Sequence, residues 1–174
     1  GVFYESLNFA IIKKIPVLFI CENNFYSVYS SLKVRQPKNR KIYKLSKGIG
    51  CKSDFSDGND CAKIFKKIKK AVEYIKSGKG PFFLEFATYR HREHCGPNFD
   101  DNLNYRPKKL SYNWIKKKDP LTKIEKNIVN KYPKKIKYLE NEKIKINNEI
   151  SSAFKFAENS PYPKTNILKK IYAK

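Results

Sequence analysis

Two short apolar runs constrain this chain most: Ile15-Pro16-Val17-Leu18-Phe19-Ile20-Cys21 and Phe82-Phe83-Leu84-Glu85-Phe86-Ala87-Thr88. Each follows a segment of helical character and is followed at once by polar residues. Runs of this length, rich in β-branched and aromatic residues and lacking strict polar alternation, suit strands buried on both faces. Such strands occur in parallel sheets with helices packed on either side. The spacing of Phe3, Leu7, Ala10 and Ile11 predicts a helix over residues 2–14. A second helix is expected from near Cys61 to Ser77-Gly78, after an Asp57-Gly58-Asn59-Asp60 turn whose last residue can cap it. Helices alternating with buried strands predict an α/β fold, part of a doubly wound and mostly parallel sheet. Polar clusters just past the strand ends, Glu22-Asn23-Asn24 first among them, mark the edge where such sheets bind ligands.

Residues 25–40 read as a loop, and residues 42–51 as a short helix ending at Gly48 or Gly50. The segment after Thr88 has no periodicity until Arg106, and a loop of that length inside a compact domain is more often functional than idle. Trp114, Asp119, Pro120 and Leu121 open a helical tail, with helices expected near 120–131 and 138–158 that pack as a pair, the second ended by Pro161 and Pro163. The expected organisation is an α/β part over residues 1–106 and a helical extension over residues 107–174.

The formal charge of +22 raises the possibility of a nucleic-acid partner. Its make-up argues against one. Only Arg35, Arg40, Arg90, Arg92 and Arg106 are arginines among 38 basic residues, and the lysines are spread over every segment, falling on the solvated faces of predicted helices. A basic nucleic-acid-binding module is therefore the distant alternative. In so lysine-rich a chain, arginines confined to residues 35–40 and 89–106 mark places where the planar guanidinium fork is needed. Cys21, Cys51, Cys61 and Cys95 form no close pair, which points away from a zinc knuckle or disulfide framework and toward a reducing compartment. No apolar run reaches membrane-span length, so no membrane is expected. The chain opens in what reads as the middle of a helix, so it is expected to be the C-terminal piece of a longer protein, with any targeting peptide out of view.

An ordered set of motifs then narrows the reading. Gly1-Val2-Phe3-Tyr4-Glu5-Ser6-Leu7-Asn8-Phe9-Ala10, Lys14-Ile15-Pro16-Val17 and Cys21-Glu22-Asn23-Asn24-Phe25-Tyr26 are followed by Asp57-Gly58-Asn59-Asp60 and Gly78-Lys79-Gly80-Pro81. Glu85, Thr88-Tyr89-Arg90, Tyr105-Arg106 and Asp119-Pro120 continue the series. Across its whole length the chain resembles the alpha subunit of the E1 component of thiamin-diphosphate-dependent 2-oxo acid dehydrogenases. The resemblance implies the thiamin-diphosphate-binding fold and, as cofactors, thiamin diphosphate and Mg2+. It implies that the side-chain oxygen of Asn24 and the main-chain carbonyl of Tyr26 are metal ligands, and that the carboxylate of a Gly-Asp-Gly upstream of Gly1 completes the set. Magnesium favours such hard oxygens in octahedral array.

By the same resemblance Thr88–Cys95 belongs to the family's active-site loop, in which His94 contacts the cofactor and helps pass the acyl group on, and Arg90 assists in binding the cofactor and ordering the loop. The implied reaction is oxidative decarboxylation of a pyruvate-like 2-oxo acid with transfer to a lipoyl group. The implied partners are an E1 beta subunit, in an α2β2 assembly, and a lipoyl-bearing E2 acyltransferase. The compartment is cytoplasm or an organelle matrix. The chain departs from the family at Glu93-His94-Cys95, where Gly-His-Ser is usual, and in a longer following loop, Gly96 to Asp101. Phosphorylation of that serine cannot occur at Cys95, and an acetoin-cleaving or other thiamin-diphosphate enzyme with a different acceptor is the alternative.

Overall fold

A computed structural model describes residues 1–164. In chain order these form α1 (Val2–Ile12), β1 (Leu18–Asn23), β2 (Tyr26–Ser27), β3 (Ser30–Ser31), α2 (Leu32–Arg35), α3 (Ile42–Gly48) and β4 (Lys52–Asp57). There follow α4 (Cys61–Lys76), β5 (Phe82–Ala87), a short 3-10 turn at Asp101–Leu103, α5 (Lys108–Lys117), α6 (Pro120–Lys131) and α7 (Ile136–Asn159). Strands β1, β5 and β4 make a parallel sheet in that order, with β5 in the middle, and β2 and β3 form a small antiparallel hairpin.

The two faces of β5 explain why the sheet is wound on both sides. Phe82, Leu84 and Phe86 point to one face and pack against Ala71 and Ile75 of α4, with Ile64, Ile68 and Tyr74 around them. Phe83 points to the other, where Leu7 of α1 and Cys51 complete a second core, flanked by Phe3, Ile11, Phe19, Ile42 and Ile49. Burying each of these large side chains contributes about 1.5–3 kcal/mol, so β5 anchors both layers. Helix α4 begins where expected, with the Asp60 carboxylate accepting from the Lys63 N–H at 3.1 Å.

Several elements depart from the sequence expectations. Strand β4 was not expected: Lys-Ser-Asp-Phe-Ser-Asp carries one large apolar residue, and the strand is held by its ladder to β5 and by Phe55 stacking on Tyr43 at 5.7 Å. The hairpin and α2 lie within residues 25–40, read as loop. Strand β1 runs Leu18–Asn23 rather than from Pro16 through Cys21: the Ile15 N–H bonds back to Ala10 and Pro16 has no N–H to give a ladder. Helices α6 and α7 form near their expected positions, but neither carries a buried residue, so the expected pairing buries no core.

The chain divides into two compact units, Gly1–Ile124 and Glu125–Lys174. The first contains the sheet and α1 to α5; the second is built around α7, and residues 165–174 of the expected extension lie outside the described residues. Among the described residues no helix is long and apolar enough to cross a membrane.

Candidate functional site

The parallel register brings three polar clusters to one edge. Asn23 of β1 and Asp57 of β4 both pair with Ala87 of β5, so Asn23-Asn24, Asp57-Gly58-Asn59 and Thr88-Tyr89-Arg90 leave the sheet together. The clusters are stitched to one another. Thr88 N–H donates to the Asn23 carbonyl at 2.9 Å, Gly58 N–H to the Ala87 carbonyl at 2.8 Å, and Asn59 Nδ2 to the same carbonyl at 3.1 Å. A glycine is needed at 58, since a Cβ there would lie 2.7 Å from Thr88 Cγ2 and 2.8 Å from the Ala87 oxygen. Asp57 accepts from both the main-chain and side-chain nitrogens of Asn59, and Asp60 caps α4, so this motif serves as a turn and cap, the ordinary role expected of it.

The double asparagine forms two successive side-chain turns. Asn23 Oδ1 accepts from the Phe25 N–H and Asn24 Oδ1 from the Tyr26 N–H, each at 2.9 Å. Phe25 is held in the left-handed region at φ 64°, an uncommon state for a bulky residue that the flanking bonds maintain. Asn23 is buried and its Nδ2 donates to Glu85 Oε1 at 2.7 Å, while Glu85 Oε2 accepts from the Tyr43 N–H at 2.8 Å. Two cavities open beside this turn. One of about 430 Å³ is lined by Cys21, Glu22, Asn23, Asn24, Tyr26 and Arg35 among others. The other, of about 900 Å³, shares Asn23, Asn24 and Tyr26 and adds Glu85, Tyr43, Tyr89 and Trp114.

Asn24 and Tyr26, the two expected metal ligands, thus line both cavities at the sheet edge. An amide oxygen and a peptide carbonyl are hard, neutral donors of the kind Mg2+ or Ca2+ takes. Asn24 Oδ1 is engaged by one N–H and keeps a second lone pair. Among the described residues no group of three or more His, Cys, Asp or Glu could hold a metal ion. The Cys21 thiol in the smaller cavity is pushed up to about 11, by burial first and then by the Glu85 and Glu22 carboxylates, so it stays protonated near neutrality.

Arg90 and His94 are placed differently. Arg90 Nη2 donates to the Val28 carbonyl and the Tyr105 hydroxyl at 3.0 Å and to Asp100 Oδ2 at 3.3 Å, and its Nε donates to the Arg92 carbonyl at 3.0 Å. The guanidinium ties the hairpin, where Val28 sits at φ 55°, to the loop. His94 is exposed and lines neither cavity. Cys95 is also exposed. The sequence alone assigned no role to Glu85, which it placed only in the motif series, or to Asp100. The second is the acceptor at the centre of the loop, bound by Arg90, Arg106 and the Tyr105 hydroxyl. Burial, followed by the bond to Asp100, pushes the Tyr105 phenol up. Tyr89 stacks on Trp114 at 5.5 Å and donates to Ser111, fastening α5 to the end of β5. For Glu85 the available signal was a lone carboxylate inside an otherwise apolar, fully buried strand, which requires donors to face it.

The model of the family described as "Dehydrogenase E1 component" matches residues 1–166. The chain is 36% identical over 164 residues to the pyruvate dehydrogenase E1 component subunit alpha of Rickettsia felis, covering 94% of this chain and 48% of that protein. It is 30% identical to the chloroplastic subunit alpha-3 of Oryza sativa subsp. japonica, over 99% of this chain and 40% of the relative. It is 31% identical to the mitochondrial subunit alpha of Sminthopsis macroura, over 94% and 44%. The chain spans about half the length of the curated relatives it matches. Matched by that family's model over residues 1–166, the chain belongs to the dehydrogenase E1 component family.

Proposed function

We propose that the chain acts within the alpha subunit of a pyruvate-dehydrogenase-type E1 enzyme, holding Mg2+ and the diphosphate of thiamin diphosphate. The observation that supports this most is the pair Asn24 and Tyr26, whose oxygen-bearing groups lie two residues apart at the carboxyl edge of a parallel sheet and line the same cavities. The names of the relatives, pyruvate dehydrogenase E1 subunits alpha, support a pyruvate-like 2-oxo acid as the substrate. Asn24 would supply its amide oxygen and Tyr26 its carbonyl to the metal, with the carboxylate of a Gly-Asp-Gly segment as the further ligand that the family resemblance implies. When bound, thiamin diphosphate supplies the nucleophilic addition and decarboxylation of the 2-oxo acid.

The chain's own residues bind, orient and move protons. Arg90 serves the site by holding the Val28 carbonyl and the loop, which keeps the Asn24–Tyr26 turn in place. His94, carried on that loop, would offer an imidazole hydrogen bond to the diphosphate or to the incoming acyl acceptor. The acceptor is the lipoyl group of an E2 acyltransferase, and an E1 beta subunit completes the site in an α2β2 assembly. Cys95 and the extended loop that follows favour keeping a second reading, acetoin cleavage or another acceptor, on the same cofactor.

The test is turnover by the complete αβ complex with pyruvate, branched-chain 2-oxo acids or acetoin and an artificial dye acceptor. Activity with pyruvate that requires Mg2+, thiamin diphosphate and the beta subunit is expected. Asn24→Ala should weaken metal binding by at least about 10- to 100-fold, the range seen when groups supporting a metal are removed. Turnover by the chain without a beta partner, or full activity of the Asn24→Ala complex, contradicts the proposal.

A further inference from the structure

Glu85 is only 4% exposed, on the central strand of the sheet, and no step of the proposed chemistry uses it. Both of its oxygens are engaged, one by Asn23 Nδ2 at 2.7 Å and the other by the Tyr43 N–H at 2.8 Å. We propose that Glu85 is a positioning residue that fixes the amide of Asn23, and through it the turn that presents Asn24 and Tyr26. The role in cofactor binding rests on the function proposed above.

The reasoning is one of donors and acceptors. A carboxylate offers only acceptors to these two N–H groups, so the NH2 side of the Asn23 amide must face Glu85. That leaves Asn23 Oδ1 toward the Phe25 N–H, the bond that supports the left-handed backbone at Phe25 and leads the chain into the Asn24–Tyr26 turn. The same carboxylate tethers the start of α3 through Tyr43, so it joins the double asparagine to the segment that walls the larger cavity. A glutamine at 85 cannot do both. With its oxygen toward Asn23, its NH2 meets the Tyr43 N–H. With its oxygen toward Tyr43, its NH2 faces Asn23, whose amide must flip and present NH2 to the Phe25 N–H. Each arrangement opposes two donors, and an unmet buried donor is costly.

Moving the carboxylate to the neighbouring position restores every pair. In Glu85→Gln with Asn23→Asp, the glutamine oxygen accepts from Tyr43, its NH2 donates to one Asp oxygen, and the other Asp oxygen accepts from Phe25. The buried charge count is unchanged.

The experiment compares the unsubstituted αβ complex with E85Q, N23D and the double variant. Three readouts are taken: hydrogen exchange of peptides covering residues 22–28 and 41–45, Mn2+ affinity by electron paramagnetic resonance, and KM for thiamin diphosphate against kcat. E85Q and N23D are expected to lose exchange protection at one or both peptides and about 10- to 100-fold in Mn2+ affinity. The double variant is expected to regain both, with KM moving more than kcat. If a single variant fails to fold, recovery of the fold in the double supports the proposal. E85Q with unchanged exchange and affinity, or a double variant no better than either single, overturns it. Should the unsubstituted complex bind neither Mn2+ nor cofactor, the proposed function fails, while the exchange pattern across the four proteins still decides the role of Glu85.

Discussion

Arg106 shows what a guanidinium does that an ammonium cannot. Its Nη1 donates to the Arg90 carbonyl at 2.8 Å, its Nη2 to Asp100 Oδ1 at 2.6 Å and its Nε to Asp101 Oδ1 at 3.3 Å. The side chains of Arg106 and Asp100 are 2% and 1% exposed, so water cannot take over a lost bond. Removing one partner of a buried pair costs up to about 3–5 kcal/mol, although here Arg90 and the Tyr105 hydroxyl still face Asp100 and hold the loss toward the lower end. Arg106→Ala should therefore lower the free energy of unfolding by about that amount in urea titrations. Arg106→Lys should fall between it and the unsubstituted protein, since one ammonium cannot meet three separated acceptors. A lysine variant as stable as the original would mean the fork is not what this position requires. The scarcity of arginine in a lysine-rich chain already pointed to this segment, and at 90, 92 and 106 the structure supplies the acceptors: main-chain carbonyls of Val28, Arg90, Arg92 and Pro97 and the Asp100–Asp101 pair. Arg35 and Arg40 are exposed and line the cavities.

Strand β1 carries a titration consequence. Cys21 lies near its end with Glu22 beside it and Glu85 across the ladder, and burial with these carboxylates raises the thiol from 9.0 to about 11. Because the folded value lies above the unfolded one, the folded state holds the proton more tightly. The resulting stabilisation is present below about pH 9 and is lost as the pH rises through about 11. Iodoacetamide at pH 8 should therefore modify the exposed Cys61 and Cys95 well before Cys21, whose rate should climb only as the pH approaches its raised value. Equal rates at all three cysteines would refute this. The strands differ in how far sequence reveals them. β1 and β5 are mostly apolar and announce themselves, whereas β4 carries charged and hydroxyl residues around a single Phe55, is less buried than β5 and is stabilised by main-chain pairing. The hairpin at 26–31 has two-residue strands and left-handed Phe25 and Val28, neither of which residue type signals. Asn24 and Tyr26 were singled out by the family resemblance, and what the sequence itself made legible is that they emerge at a strand end. The Val28 carbonyl that Arg90 holds was not legible, since it lies on a separate turn brought in by tertiary folding.

For the whole molecule two opposing surface properties compete. Helix α1 buries Leu7 and Ala10 on one side, yet Val2, Phe9 and Ile12 on its other side are exposed, and Ile20 of β1 is 50% exposed. Among the described residues the outer edge of β1 has no strand partner, and an apolar strand edge of this kind is a template for pairing with another chain. Against this stands a net charge of +22, which makes copies repel one another. Salt acts on only one of the two. The Debye length shrinks from about 30 Å at 0.01 M to about 8 Å at 0.15 M, so repulsion between copies fades while apolar burial does not weaken. Sedimentation velocity of the isolated chain should therefore show monomer at low ionic strength and increasing self-association as NaCl is raised. Ile20→Lys, which puts a charge on the exposed apolar position of the edge strand, should shift the onset to higher salt. Association that is strongest at low salt and dissolves as salt is added would show that ionic contacts, rather than the apolar edge, bring the copies together.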